Sequence, residues 1–111
     1  MEKTKHTKPR SALELISVEQ LKIADKAATG LRVELPDSPP LVAIIGNRGF
    51  VMCGFLNIEA AGKLNVTAAM VSGVRTFDDV LKAEIKAATS KAKMKGITVG
   101  MKGEEAIRLL I

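Results

Sequence analysis

The sequence predicts an α+β fold: one small domain with a mostly antiparallel sheet and helices packed against it. Three observations lead there. Strand-like segments cluster in the first part of the chain and helix-like segments follow, an order typical of α+β domains. Two neighbouring segments, residues 41–45 and 50–55, are apolar on both faces, as strands in the middle of a covered sheet are. A chain of 111 residues is long enough to bury roughly 60–70% of its unfolded surface in one core and too short for two.

The body begins at Leu13, where apolar density rises. Ser17 with Gln20 has the spacing of a helix capping box, yet Val18, Leu21 and Ile23 suit a strand ending at an Ala24-Asp25-Lys26 turn, and the strand is preferred. Leu31, Val33 and Leu35 alternate with Arg32 and Glu34, the pattern of a strand with one wet face. Pro36-Asp37-Ser38-Pro39-Pro40 stops it, because proline donates nothing to a ladder. Gly46-Asn47-Arg48-Gly49 then reads as a hairpin whose residues tolerate positive φ.

Asn57 is a candidate N-cap for a helix over residues 58–64, and residues 66–72 are apolar and β-branched enough for another strand. Thr76 with Asp79 is a capping box. Phe77, Leu81, Ile85, Ala88 and Ala92 repeat at helical spacing, which predicts one helix from Phe77 toward Lys95, kinked near residues 82–84 and ended by Gly96. Gly100-Met101-Lys102-Gly103 leads into a last helix from Glu104.

Composition narrows the function classes. Aromatic residues are 3% of the chain, with no Trp or Tyr, so stacking platforms for nucleobases are scarce. The single cysteine makes no internal disulfide, and no Cys/His cluster has zinc-ligand spacing. No metal and no cofactor are expected, and a reducing, cytoplasmic setting is the default. Leu41–Ile45 is far shorter than the roughly 20 apolar residues of a membrane helix, and the first residues lack the apolar stretch of a signal peptide. The formal charge of +5 is uneven: Lys3, Lys5, Lys8 and Arg10 against Glu2 give the first ten residues +3. Residues 1–12 are therefore expected to form a basic mobile tail, as a solubilising segment or a nucleic-acid arm, with the domain over residues 13–111.

Two residues stand out as candidates for chemistry. Cys53 is the one available thiol; a reactive thiolate needs a nearby cation, histidine or helix N-terminus, and the single histidine, His6, lies in the tail. Arg75 or the Asn57 helix start would have to serve, and a cysteine in an apolar strand is usually a small core residue. Arg75 lies in a strand-to-helix turn, where a guanidinium and free backbone N–H groups suit an anion. Ser72, Gly73 and Thr76 would add close backbone approach and hydroxyls. The competing role for Arg75 is a salt bridge to Asp78, Asp79 or another chain. Lys102 is a further possible anion contact, on a loop whose glycines otherwise only turn the chain. Asp78-Asp79 and Glu104-Glu105 fit helix first turns better than acid–base or metal chemistry. Lys82, Lys86 and Lys93 share a helical face that is either solvated or, with the tail, a nucleic-acid track.

Four segments also resemble those of the YunC-like proteins, an uncharacterised bacterial and archaeal family. They are Gly49-Phe50-Val51-Met52-Cys53-Gly54, Leu56-Asn57, Gly73-Val74-Arg75-Thr76 and Gly100-Met101-Lys102-Gly103-Glu104-Glu105-Ala106-Ile107, and the similarity runs from about Leu13 to the end. The resemblance implies a small α+β fold and no established activity or cofactor; the basic N-terminal extension departs from it. The expectation is a homo-oligomeric domain binding a small anionic ligand near Arg75, because two-sided apolar strands in so small a protein need a cover that another subunit can supply. The alternatives are a thiol-dependent enzyme using Cys53, a structural or assembly protein, and nucleic-acid binding through the tail.

Overall fold

The computed structural model describes residues 12–111, in the order α1 (Ala12–Leu15), β1 (Ile16–Ile23), β2 (Lys26–Val33), β3 (Leu41–Ile45), β4 (Phe50–Met52), α2 (Ile58–Lys63), β5 (Ala68–Met70), α3 (Phe77–Lys82), β6 (Ala87–Ala88), α4 (Ser90–Met94) and α5 (Gly103–Arg108). Residues 1–11 of the expected basic tail lie outside the described residues. The six strands form one sheet in chain order. All neighbours are antiparallel except β4 and β5, which run parallel, with α2 in the crossover between them. This is the α+β domain the sequence predicts.

Several local signals act as read. β1 is a strand, and it joins β2 through a two-residue turn in which Ala24 (φ 52°) and Asp25 (φ 66°) both take positive φ, matching the twist of the flanking strands. β3 and β4 are the central pair, as their two-sided apolar character requires; Val42, Ile44 and Val51 are fully buried. Asn57 caps α2 by accepting from the Ala60 N–H at 3.0 Å. Gly96, at φ 101°, follows α4.

Two expectations fail. The hairpin over residues 46–49 forms, with the Gly46 N–H donating to the Gly49 carbonyl at 2.8 Å, but neither glycine has positive φ. Close packing explains them instead. A Cβ on Gly49 would sit 2.6 Å from the Thr67 carbonyl oxygen, and one on Gly46 would sit 2.8 Å from the Leu110 carbonyl carbon.

The long helix from Phe77 to Lys95 does not exist. α3 ends at Lys82, Ala83 is extended (ψ 155°), and Ala87–Ala88 becomes edge strand β6. Long-range pairing outcompetes helix propensity in this segment. The Lys86 and Thr89 N–H groups donate to the Met70 and Ala68 carbonyls at 2.8 and 2.9 Å, and Ile85 exchanges bonds with the loop at residues 100–101. Thr89 then restarts a helix: its buried hydroxyl accepts from the Ala92 N–H at 3.3 Å and also from the Ala68 N–H at 3.2 Å. Ile85 and Ala92 are buried, so the periodicity correctly marked core positions and misnamed the element. Lys82, Lys86 and Lys93 consequently share no helix face.

One sheet face carries α3 and α5. Gly30 lies against the Phe77 ring, and Val42, Ile44, Val51, Val80, Ala106 and Ile107 form the core between them. The strand register puts Ile16, Val18, Leu31, Val33, Leu41 and Ile45 on the other face. There Ile16, Val18 and Ile45 are 42%, 64% and 40% exposed.

Candidate functional site

Three loops meet at one end of the central strands. Beyond β4, the Cys53 N–H donates to the Val42 carbonyl at 3.0 Å, and the Val42 N–H donates back to Cys53 Sγ at 3.4 Å. The cysteine thus extends the β3–β4 pairing and is only 5% exposed. A turn follows, closed by the Leu56 N–H on the Cys53 carbonyl at 3.1 Å, and it presents Gly54 and a half-exposed Phe55. Beyond β5, the Val71 N–H still reaches the Met52 carbonyl at 2.9 Å, after which Gly73 (φ 71°) turns the chain into buried Val74 and exposed Arg75. The third loop brings Pro39 and Pro40 to β3. Together the segments 39–40, 53–55 and 73–75 line an open cleft of about 310 Å³. Cys53 and Arg75, paired on sequence grounds, therefore line one site with Gly73.

The Arg75 backbone is fixed from both sides. Its N–H and that of Thr76 donate to Asp79 Oδ2 at 3.0 and 3.2 Å, the Asp79 N–H donates to Thr76 Oγ1 at 3.0 Å, and Arg32 Nε donates to the Arg75 carbonyl at 2.9 Å. The rest of the Arg32 guanidinium pairs with Glu34. These donors hold the Asp79 carboxyl below its usual 3.8. The N–H of Arg75 contributes most, and the Thr76 contacts and Lys82 add to it and outweigh burial.

The Arg75 side chain is left over. Asp78 pairs with Lys82 at 2.9 Å, which raises the lysine's pKa, and Asp79 is occupied by backbone. Among the described residues the Arg75 guanidinium has no hydrogen bond or ion pair, so the intrachain salt bridge considered for it is absent.

Other candidates lie elsewhere. Thr76 serves as the α3 cap, and neither it nor Ser72 lines the cavity. α3 is six residues long, and its capping box already engages the Asp79 N–H, so helix amides add little to an anion site here. Lys102 borders a separate cleft with Leu81, Lys82, Glu104, Glu105 and Arg108. There Arg108 pairs with Glu104 at 3.0 Å, and the Lys102 backbone N–H donates to Glu105 at 2.8 Å. Both acidic pairs act in caps and i,i+4 bridges. Among the described residues no group of three or more His, Cys, Asp or Glu is placed to hold a metal ion, and no helix is long and apolar enough to cross a membrane.

Sequence reasoning missed the apolar walls. Pro39 and Pro40 had been read only as a strand terminator and Phe55 only as strand. The one available signal was that Phe55 directly follows Gly54, a residue suited to turns.

Residues 52–110 match the model of a domain of unknown function, DUF1805. The chain is 31% identical over 97 residues to the uncharacterized protein YunC of Bacillus subtilis (strain 168), across 84% of this chain and 95% of that protein. A crystal structure of a protein of unknown function from Thermoplasma acidophilum superposes with a TM-score of 0.83 at 32% identity, covering 87% of this chain and 94% of the other.

Proposed function

The chain belongs to the YunC-like family, whose shared domain of unknown function is DUF1805, and we propose that it is a homo-oligomer binding a small anionic ligand in the cavity between the Cys53 and Arg75 loops. One observation carries this: Arg75, on a fixed backbone and without a carboxylate partner among the described residues, is the one charged residue lining a concave apolar site. Arginine in such a place offers a planar donor fork that suits a carboxylate or phosphate. Because the Arg75 side chain makes no hydrogen bond or ion pair among the described residues, Arg75→Ala should fold normally and weaken anion binding by roughly 1.5–3 kcal/mol. Titration calorimetry with small carboxylates and phosphate tests it; unchanged binding of every anion would end the proposal.

A thiol-dependent reaction at Cys53 is the second reading, favoured by the position of Cys53 on the same cavity wall. Its low exposure and the Val42 N–H on its sulfur speak for a structural residue, one at home in a reducing cytoplasm.

The exposed apolar sheet face supports self-association, since Ile16, Val18 and Ile45 form one strip with half-buried Leu31 and Val33. Light scattering should give a multiple of 11.8 kDa, and Val18→Lys should shift it toward one. A wild-type monomer at millimolar concentration would contradict the oligomer.

A further inference from the structure

We infer that the ligand is a monocarboxylate with an apolar hydrocarbon body, and not a phosphorylated compound, an inference that rests on the anion site just proposed. Charge is the first ground. Among the residues lining the cavity, Arg75 is the single charged one, and Arg32, held by Glu34 and by the Arg75 carbonyl, is already neutralised. A carboxylate matches one guanidinium bidentately. A phosphate dianion would keep one charge uncompensated against proline, phenylalanine and valine, which is costly away from water.

The walls are the second ground. Pro39, Pro40, Phe55 and Val74 line the site beside Cys53, and Phe55 is 52% exposed, so a hydrocarbon body would cover apolar surface that water now touches. Size is the third: at about 310 Å³ the cleft is at the low end of small-molecule sites, which suits one compact carboxylate with its hydrocarbon body.

The amides provide the fourth ground. The backbone N–H groups of Gly54, Phe55, Gly73 and Val74 donate to no acceptor among the described residues. They are uncommitted donors on the two loops that line the site with Arg75, so an anion there has neutral donors beside the one cation.

The test is calorimetric titration of the full chain, wild type and Arg75→Ala, with acetate, butyrate, hexanoate, octanoate, decanoate, octanamide and inorganic phosphate, all below micellar concentrations. Affinity should rise about fourfold per methylene, the equivalent of ~0.8 kcal/mol per buried CH₂, for as long as the added carbons lie against the apolar walls. Octanamide should bind at least tenfold more weakly than octanoate, and Arg75→Ala should erase that difference while leaving octanamide unchanged. Phe55→Ala should flatten the chain-length dependence. Arg75-dependent binding of phosphate tighter than of octanoate, or Arg75-dependent carboxylate binding that ignores chain length, would overturn the ligand class and leave the anion site standing. Absence of any Arg75-dependent binding would overturn both.

Discussion

Gly103→Ala should destabilise the protein severely, for a purely steric reason. Gly103 opens α5 and is buried, its N–H donates to the Ala83 carbonyl at 2.7 Å, and its φ is not in the left-handed region. An added Cβ would overlap the Val80 carbonyl oxygen outright and lie 3.0 Å from the Val80 carbonyl carbon, where ordinary contact begins at 3.4 Å. Both colliding partners are backbone, so relief requires α5 to retreat from α3 by more than an ångström. That motion is opposed by the Ala83 bond and by the bridge between Glu84 and Lys102, and it opens the packing of Val80 on Ala106 and Ile107. Overpacking of this kind typically costs 1–3 kcal/mol, and the rigid partners put Gly103→Ala at the upper end, about 3 kcal/mol. At about 2.1 cal/mol/K of unfolding entropy per residue, this lowers Tm by roughly 13 °C. The control is Gly62→Ala in α2, where a Cβ meets nothing within 4 Å and helix propensity should add about 0.5–1 kcal/mol. Thermal unfolding followed by far-ultraviolet circular dichroism reads both. A Gly103→Ala Tm within about 4 °C of wild type, or equal shifts for the two variants, would refute the close-approach account.

Thr89→Val keeps the shape of a buried side chain while leaving the Ala68 and Ala92 N–H groups without their acceptor; urea denaturation should show a loss of about 2–4 kcal/mol, and a loss below 1 would mean the hydroxyl is dispensable. Asp79→Asn should cost stability with a defined pH dependence. Because the folded Asp79 carboxyl is held below 3.8, its contribution is complete above that value and disappears as pH falls through the lower folded pKa. The wild-type advantage over Asp79→Asn should therefore hold from neutrality to about pH 4 and shrink below it, and an advantage that shrank instead between pH 5 and 7 would contradict the sign. Cys53 should react with iodoacetamide many times more slowly in the folded protein than in urea, since its sulfur is buried and engaged by Val42; folded-state labelling faster than a free thiol would revive the thiol-enzyme alternative.

What the sequence disclosed was local or followed from one residue's environment. The Thr76–Asp79 box is closed by hydrogen bonds spanning four residues, so spacing alone reveals it. Leu41–Ile45 declares itself central because every side chain is apolar and no face is left for water. The segment from Ala83 to Met94 was illegible for the opposite reason. Ala87 and Ala88 favour helix by themselves, and only Met70 and Ala68, roughly twenty residues earlier, make them an edge strand. The same holds for the site. Cys53 and Arg75 attracted notice by type, but their neighbours Pro39, Pro40 and Phe55 are brought in by sheet order, which spacing does not encode. Gly46 and Gly49 were recognised as a hairpin through a positive φ they do not have; their real constraint, the closeness of Leu110 and Thr67, is tertiary.

The most direct test of the ligand site is a ¹H–¹⁵N correlation titration of the labelled protein with octanoate. The proposed site predicts saturable shifts concentrated on the amides of Cys53, Gly54, Phe55, Gly73, Val74 and Arg75, moved to at least tenfold higher octanoate concentration in Arg75→Ala. Shifts centred on Lys102 to Arg108, or none at all, would contradict it.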